Sequence, residues 1–432
     1  MLKREALTDK ILVLGVDGMD PSLSRKYVDM GLMPNLKSII EQGSARHDLM
    51  LLGAHPTITP PMWTTLATGC TATVHGIFGF YMHKPEDPLD TGAYSLNSHD
   101  CRAELVWNCF AEAGKKTLVW HWPGSSWPPT SDSPNLLVVD GSSPGSVGAG
   151  KLERDSDFLV EASEKCPNLT VTQPGGFEGT KACVVDFGEE TAVDSDGNKY
   201  PPKMVTIKTK ESQLTGALTD LDLAVVHSPI TEAKDWANAP EGAKEFTILF
   251  SDGLVRRPAL LLKGDSGSYD AVEIYKNKKA SSPLVKLLPQ QMAIAVVDEA
   301  IVGSRTYQVN RNIKILELAA DGSWVKMYVS PAMDIESDEI FSPKELKDII
   351  YKNIGYLPSS TMIGNQDPVL ITDCMLANWD VAVDWQARAL LYMIEKENVE
   401  VIFSHMHNVD LQTHLFIKYM SGRHEMCIRD RS

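Results

Sequence analysis

The chain opens with a pattern that passes from a buried-strand signal to a helix signal. Ile11–Val16 is a continuous apolar run, which is typical of a strand buried on both faces of a parallel sheet. Asp20 and Pro21 follow with the residue types of a helix N-cap and a first helical position, and Gly31 is placed to end that helix. The start of the chain therefore predicts a strand followed by a helix.

The same rhythm continues further along the chain. A second helix is predicted over Pro34–Gly43. The apolar side chains that this helix is expected to bury are Leu36, Ile39 and Ile40. Ala103–Ala113 has a helical pattern, and Thr117–Trp122 follows it as a strand. This strand–helix–strand order predicts an α/β fold with a parallel sheet.

The middle of the chain has a different pattern. From about Pro144 to residue 200 it is rich in Gly, Ser, Asp and Pro, and it is expected to be loop-like. Short alternating runs that predict strands follow at Met204–Lys208, Phe246–Phe250 and Lys314–Leu318. We therefore predict an α/β core made of residues 9–145 and 335–422. A loop-rich and β-rich inserted or cap domain is predicted over residues 146–334.

The α/β pattern returns near the end of the chain. Asp384–Glu397 has a helical pattern, and Val399–Ser404 is an apolar strand that leads into a polar segment. In that segment Asp410 and His414 are four residues apart, so both side chains face the same way if the segment is helical. A carboxylate and an imidazole on one face suit half of a Zn²⁺ or Mn²⁺ site. A surface helix that carries the same pair by chance is the alternative.

Composition limits the classes of function. The 432 residues are 43% hydrophobic and 23% charged, which allows a large buried core. A net charge of −16 argues against nucleic-acid binding through a basic surface, although bound cations still let an acidic protein take a phosphate. The 7 Cys are dispersed, and the sequence has neither a signal-peptide core nor a membrane-spanning apolar run. We therefore expect a cytoplasmic protein without membrane or nucleic-acid partners.

The segment Pro56–Gly69 carries the clearest candidate nucleophile. Pro60 suits the first position of a helix, because proline lacks the N–H that this position leaves unpaired. Thr59 would then be the N-cap, where free N–H groups and the helix dipole favour an alkoxide or a bound phosphate. The expected apolar face of this helix consists of Met62, Trp63, Leu66 and Ala67. An ordinary capping threonine is the alternative, since such caps are common.

Asp17 is a candidate metal ligand because it directly follows the first strand. Ligands of open α/β sheets collect beyond the carboxyl ends of the strands, and a carboxylate there suits a cation. A residue that only caps a turn is the alternative. His55, His75, His405 and His407 lie close to these elements in the sequence, and for His75 we expect a structural hydrogen bond to a loop.

Four segments, taken in order, resemble one protein family. They are Ile11–Gly18 (ILVLGVDG), Met33–Leu36 (MPNL), Thr57–Gly69 (TITPPMWTTLATG) and His75–Phe80 (HGIFGF). Together they resemble the predicted phosphohydrolase and phosphomutase family of the alkaline phosphatase superfamily, which is related to type I phosphodiesterases and nucleotide pyrophosphatases. Asn408–His414 is similar to the later D-x-x-x-H metal motif of that family. The resemblance implies an alkaline-phosphatase-like parallel-sheet sandwich.

The resemblance also implies a site for two divalent metal ions. One ion would be held by Asp17 and Thr59 and the other by Asp410 and His414, with Zn²⁺ expected ahead of Mn²⁺ or Mg²⁺. Thr59 would be the catalytic nucleophile of a phosphate ester hydrolase and would form a covalent phosphothreonine. The backbone N–H of Met62 would bind the phosphate. The substrate would be a small-molecule phosphate ester of the phosphodiester or nucleotide type.

The end of the sequence departs from the family pattern. The family completes its metal sites with an Asp-His-Gly motif and a further His, and this sequence contains no Asp-His dipeptide. Residues 423–432 fit no expected strand and resemble a non-native tail, so we expect a C-terminally truncated chain that lacks part of the ligand set. A catalytically inactive binding protein is therefore one alternative function. A phosphomutase that passes phosphate from Thr59 to a sugar hydroxyl is the other.

Overall fold

The structure is a computed structural model, and a five-stranded sheet forms its centre. It describes residues 8–51, 56–83, 88, 91–141, 149–172, 181–186, 192–193, 199–200, 205–211, 223–359 and 370–413. The strands of this central sheet are β1 (Ile11–Val16), β2 (Thr117–Trp120), β3 (Leu136–Val139), β4 (Phe341–Ser342) and β5 (Val401–Met406). Their spatial order is β1-β5-β2-β3-β4, and all neighbours pair in parallel except β3 and β4. The α/β class with a parallel sheet is confirmed.

Helices cover both faces of the central sheet. The α-helices are α1 (Pro21–Asp29), α2 (Pro34–Gln42), α3 (Thr59–Thr68), α4 (Ala72–His75), α5 (Val106–Glu112), α6 (Glu345–Asn353) and α7 (Ala377–Glu395). A π-helical segment, Leu370–Leu376, leads into α7. Side chains of α3 and α5 pack on one face of the sheet, and those of α6 and α7 pack on the other. Among the described residues no helix is both long and apolar enough to span a membrane.

Among the described strands β1 lies at the edge of the central sheet, and its exposure contradicts the expectation that both of its faces are buried. Leu12 and Leu14 are 51% and 50% exposed. Val13 points to the opposite face, where it packs against the cluster formed by α3 and α5. The apolar run correctly predicts a strand, but it cannot show the position of the strand in the sheet. In the described part of the chain, α6 and α7 cover the inner strands and leave this face of β1 open.

The helices after β1 begin and end close to where the sequence predicts, but α2 is not buried as predicted. Asp20 caps α1 as predicted, and its side chain accepts a hydrogen bond from the Leu23 N–H at 2.7 Å. α2 has the predicted bounds, but it buries none of its residues, and Ile39 is 69% exposed. The predicted burial of α2 is therefore wrong. In the described part of the chain α2 neighbours α1, and none of its side chains belongs to the clusters on the central sheet.

α3 begins one residue earlier than predicted. Its N-cap is Ile58, and Thr59 is the first helical residue. The residues that it buries are Pro60, Pro61, Trp63, Thr64 and Ala67. Leu66 is 40% exposed, so its expected place on the apolar face is wrong. The buried stripe follows helical spacing from Pro60, and this spacing excludes Leu66.

The middle of the chain forms further sheets. The largest has the strand order Glu153–Asp155, Ala332–Asp334, Arg305–Leu318, Trp324–Val329, Phe158–Ser163, Ala224–Pro229 and Thr170–Thr172, with Met292–Val302 paired to Arg305–Leu318. A five-stranded sheet contains Thr231–Glu232, Lys244–Phe250, Val255–Lys263, Tyr269–Ile274 and Val285–Leu287. A third sheet joins two strands from the first part of the chain, Tyr81–Met82 and Thr91–Tyr94, to two strands of the middle region, Val205–Glu211 and Lys181–Asp186. Ala192–Val193 pairs with Lys199–Tyr200.

The two larger sheets of the middle region share one apolar core, so its β-rich character is confirmed. The expectation of a loop-like segment from Pro144 to residue 200 is wrong, because this range contains several strands, and the clearest case is Phe158–Ser163. This strand lies between two others inside the largest sheet, and four of its six residues are buried. It is short and is flanked by residues typical of turns, so the local composition hides it.

Candidate active site

The polar side chains of the candidate site lie at the carboxyl ends of two neighbouring parallel strands. Asp17 directly follows β1, and its N–H continues the pairing with β5 at 2.9 Å. β5 carries His405, and His407 comes directly after the strand. Residues 408–413 then form a helical turn that contains Asp410. The pairing of β1 with β5 thus brings together side chains that are 388 positions apart in the sequence.

Thr59 contacts this group from the amino end of α3. Its hydroxyl donates a hydrogen bond to Asp17 Oδ2 at 3.1 Å. Because the hydroxyl is engaged with Asp17, it does not cap the helix, and the expectation that Thr59 is the N-cap is wrong by one residue. The hydroxyl still lies at the positive end of the helix dipole, as the sequence pattern predicts.

Asp17, His407 and Asp410 make up a group of candidate metal ligands whose ligand atoms all lie within 4.8 Å of one another. His407 Nε2 is 3.1 Å from Asp410 Oδ2 and 4.0 Å from Asp17 Oδ2. His405 Nε2 lies 3.4 Å from the same Asp17 oxygen. Gly18 permits this approach, because its φ is +67° and a Cβ there would lie 2.5 Å from the Asp410 Cα.

Neither His405 nor His407 is among the metal ligands predicted from the sequence. The available signal is their spacing at the end of β5, since residues two apart along a strand lie on the same face of the sheet. His405 is almost fully buried, and His407 is half-buried. The structure therefore adds His407 to the candidate metal ligands and His405 as a contact of the Asp17 carboxylate.

The charges at the site favour an ionised carboxylate beside a neutral imidazole. Burial acts to raise the pKa of Asp17, but the hydrogen bond and charge of His405, with smaller effects of His407 and Thr59, outweigh it and lower this pKa. The pKa of His405 is also lowered, chiefly because its ring is buried, while Asp17 acts in the opposite direction. These are the protonation states in which both groups bind metal ions.

Aromatic packing holds the His405 ring in place. Trp63 of α3 meets this ring edge to face, with 4.5 Å between the ring centroids, and its own centroid is 4.9 Å from that of Trp122. The Trp122 indole N–H donates to the Trp63 carbonyl at 3.0 Å. Gln386 of α7 donates to the His405 carbonyl at 3.0 Å. One aromatic cluster therefore connects β5 with the helix that carries Thr59.

The predicted phosphate contact of Met62 is wrong. Its backbone N–H donates to the Ile58 carbonyl at 3.1 Å. Because α3 begins at Thr59, this N–H has an acceptor inside the helix and is not an unpaired first-turn donor. Pro60 and Pro61 have no N–H, so the amide of Thr59 is the remaining donor of the first turn.

Of the other histidines noted in the sequence, two lie outside the described residues and one makes structural contacts. His414, the predicted ligand in the D-x-x-x-H motif, lies outside the described residues, and so does His55. His75 is buried, its Nδ1 accepts a hydrogen bond from the Ile77 N–H at 3.1 Å, and its Nε2 is 3.1 Å from the Thr65 hydroxyl. These are structural contacts of the kind expected for His75.

The donor set fits a divalent cation. Two converging carboxylates repel each other unless a positive charge lies between them. The Nδ1 atoms of His405 and His407 and the side-chain oxygen of Asn408 are buried and have no hydrogen-bond partner among the described residues. Buried polar atoms without a partner are rare and need an explanation such as a bound ion. Mixed carboxylate and imidazole donors are typical of Zn²⁺ and Mn²⁺ sites.

Comparisons with known proteins agree with the sequence motifs. Residues 11–218 match the family model described as type I phosphodiesterase / nucleotide pyrophosphatase. This match contains Asp17 and Thr59, and it confirms the resemblance carried by the four segments. No curated protein matches the chain.

Two similar solved structures are crystal structures of phosphonoacetate hydrolase from Sinorhizobium meliloti 1021. They are 32% identical to this chain in the complex with phosphonoformate and 31% identical in the complex with phosphonoacetate. Each match covers 25% of this chain and 25% of that chain, with a TM-score of 0.22. The chain therefore matches about a quarter of the length of these proteins.

Proposed function

We propose, from the membership of residues 11–218 in the type I phosphodiesterase / nucleotide pyrophosphatase family, that the chain is a metal-dependent phosphohydrolase with Thr59 as its nucleophile. The observation that carries the proposal is the hydrogen bond from the Thr59 hydroxyl to Asp17, within the group of candidate metal ligands. A hydroxyl, a carboxylate that accepts its proton and a cation site are the components that activate a weak oxygen nucleophile.

Each residue has a defined role in the proposed reaction. The oxygen of Thr59 forms a bond to phosphorus as the bond to the leaving oxygen breaks, and the hydroxyl proton passes by way of the Asp17 carboxylate to the leaving oxygen, which departs as the alcohol. Water then attacks the phosphothreonine, and the bond from phosphorus to the Thr59 oxygen breaks as the new bond to water forms. One water proton restores the Thr59 hydroxyl, and the phosphate product leaves. His405 holds the Asp17 carboxylate in position through its Nε2. The amide of Thr59 and the amino end of α3 offset negative charge on the phosphate.

Asp17, His407 and Asp410 would hold divalent metal ions, whose positive charge supplies hydroxyl activation and charge neutralisation. We propose two ions, with Zn²⁺ ahead of Mn²⁺ or Mg²⁺ and with His414 as a further ligand. This positive charge would also let a protein of net charge −16 bind an anionic ester. The proposed substrates are small phosphodiesters or nucleotide-type esters.

Kinetics of Thr59 variants test the proposal. The probe is bis(4-nitrophenyl) phosphate, and the protein is the full chain loaded with Zn²⁺ or Mn²⁺. Thr59→Ala should lower kcat by about a thousandfold or more because the nucleophile is removed, while Thr59→Ser keeps a hydroxyl and should retain part of the activity. Thr68→Ala is the matched control on α3, since the Thr68 hydroxyl lies at the opposite end of that helix, where it donates to the Thr64 carbonyl and accepts from the Cys70 N–H.

Two further measurements separate the alternatives. Elemental analysis should find bound metal in the wild type and less in Asp410→Asn. Acid quenching during turnover should leave an adduct on Thr59 that mass spectrometry locates. Equal turnover by Thr59→Ala and Thr68→Ala would exclude Thr59 as the nucleophile. Bound metal without any turnover would support a binding protein instead.

A further inference from the structure

Polar residues also follow the carboxyl ends of two further strands of the central sheet, beyond those that carry the candidate metal ligands. β2 is followed directly by His121, and β3 is followed directly by Asp140. β2 is the neighbour of β5 in the sheet, so His121 lies beside the strand that carries His405. His121 is therefore at the edge of the proposed active site, although neither the motifs nor the proposed reaction uses it.

The surroundings of His121 hold its ring in one orientation. Its Nδ1 is 2.6 Å from the Asp140 backbone carbonyl oxygen, and the ring meets Trp120 edge to face with 5.7 Å between the centroids. The backbone is left-handed at this position, with φ at +53°. Few non-glycine residues adopt this conformation, and histidine is one of those that tolerate it.

These contacts determine which ring nitrogen carries the proton. A carbonyl oxygen only accepts hydrogen bonds, so Nδ1 must be the donor. Burial, opposed only in part by Asp140, lowers the pKa of His121 to about 4, and the ring is neutral at pH 7. Nε2 then has a lone pair and no proton.

Nε2 is available to a ligand. Among the described residues no hydrogen bond to it is observed, and it is not one of the fully buried polar atoms that lack a partner. The exposed part of His121 is small, 9% of the residue, so a ligand would reach only this edge of the ring. It is also outside the group of candidate metal ligands in the described part of the chain. An acceptor without neighbouring ligands suits a hydrogen-bond donor better than a cation.

We propose that Nε2 of His121 accepts a hydrogen bond from a hydroxyl group on the alcohol part of the substrate. The site would then prefer phosphate esters of hydroxylated alcohols to esters of plain alkyl alcohols. This inference rests on the proposed phosphohydrolase function, and it assigns to that function a specificity-determining residue.

Two substitutions separate recognition from structural support. His121→Asn keeps a donor near the Nδ1 position and tolerates the left-handed backbone, but it removes the acceptor at the Nε2 position. His121→Gln places an acceptor near Nε2 and loses the donor near Nδ1. A purely structural role predicts that Asn is the better replacement in every assay. A recognition role predicts that Asn is better for stability and Gln is better for specificity.

The assay compares 2,3-dihydroxypropyl 4-nitrophenyl phosphate with propyl 4-nitrophenyl phosphate on the metal-loaded chain. We expect the wild type to favour the dihydroxypropyl ester by about fivefold in kcat/KM, His121→Asn to lose this preference and His121→Gln to keep part of it. Melting temperature and metal content should stay near wild type in His121→Asn. No preference in the wild type, an unchanged preference in His121→Asn, or loss of metal from that variant would overturn the proposal.

A binding measurement keeps the two proposals distinguishable. If the wild type hydrolyses neither ester, the proposed function fails. Calorimetric titration of the metal-loaded chain with glycerol 1-phosphate and with propyl phosphate then tests His121 without turnover. Tighter binding of glycerol 1-phosphate that disappears in His121→Asn supports the hydroxyl contact, and equal binding of both ligands by the wild type overturns it.

Discussion

Replacing Gly15 by alanine should disturb the candidate site through the aromatic cluster beneath it. A Cβ at Gly15 would lie 2.2 and 2.3 Å from two outer ring carbons of Trp63. Carbon atoms in contact are about 3.5–4.0 Å apart, so the ring would have to retreat by more than about 1 Å. Trp63 is only 6% exposed and packs against Trp122 and His405, which leaves little room for this movement.

The expected losses follow from these contacts. Overpacking a well-filled core costs about 1–3 kcal/mol, so Gly15→Ala should lower the free energy of unfolding by this amount. Trp63 contacts His405 and belongs to the same helix as Thr59, so its displacement also moves the proposed nucleophile and the residue that holds Asp17. A misplacement of about 1 Å can cost about a hundredfold in rate, and we expect kcat to fall by up to that factor.

Urea unfolding measures the first loss, and hydrolysis of bis(4-nitrophenyl) phosphate measures the second. Gly79→Ala is the matched control, because the nearest atom to its new Cβ is 3.9 Å away. Trp63→Phe removes the outer ring carbons, so the double variant with Gly15→Ala should lose less stability than the two single changes combined. Additive losses in this cycle, or a Gly15→Ala variant as stable and active as Gly79→Ala, would refute the contact.

Two further predictions concern buried ionisable groups. The pKa of His121 is lowered from 6.5 to about 4, chiefly by burial, so the unfolded chain takes up this proton at higher pH than the folded chain. The contribution of neutral His121 to the free energy of unfolding, about 3 kcal/mol, should be complete above about pH 6.5 and lost as the pH falls toward 4. Urea unfolding across this pH range should show a smaller decline in that free energy for His121→Asn than for the wild type. In the middle region, Arg257 donates to Asp298 at 2.7 Å, and both side chains are less than one-tenth exposed. Arg257 also donates to Glu299 at 3.1 Å, so removal of Asp298 leaves it one acidic partner. Asp298→Ala should therefore cost about 3 kcal/mol in thermal or urea unfolding, the lower end for a broken buried pair. The double variant with Arg257→Leu should recover part of this loss, whereas equal losses would contradict a buried-charge effect.

The parts of the fold that depend on local chemistry were predictable from the sequence. Asp20 and Pro21 have side chains suited to the start of a helix, and α1 begins there. Asp17 follows an apolar run that correctly predicts a strand, and the carboxyl end of a parallel strand is where ligands collect. These inferences need only the neighbouring residues and the general geometry of α/β sheets.

Features that depend on the order of strands in space were not predictable in this way. The Thr59 pattern suits an N-cap, but α3 starts one residue earlier, and the Thr59 hydroxyl bonds to Asp17, 42 positions away in the sequence. That shift also gives the Met62 N–H an acceptor. The approach of His405 and His407 to Asp17 follows from the pairing of β1 with β5, which no short stretch of sequence reveals.

If the candidate site binds a metal ion as proposed, pairing of β1 with β5 would couple that binding to the assembly of the sheet. Asp17 extends from this strand, while His407 and Asp410 follow β5, so the candidate ligands meet only when the two strands pair. Leu12 and Leu14 remain half exposed, which makes the apolar stabilisation of β1 weaker than that of an inner strand. A cation that binds both carboxylates removes their repulsion and stabilises the paired form, by about 2.7 kcal/mol at a hundredfold excess over Kd. Because the Thr59 hydroxyl also points to Asp17, the same docking of β1 orients the proposed nucleophile.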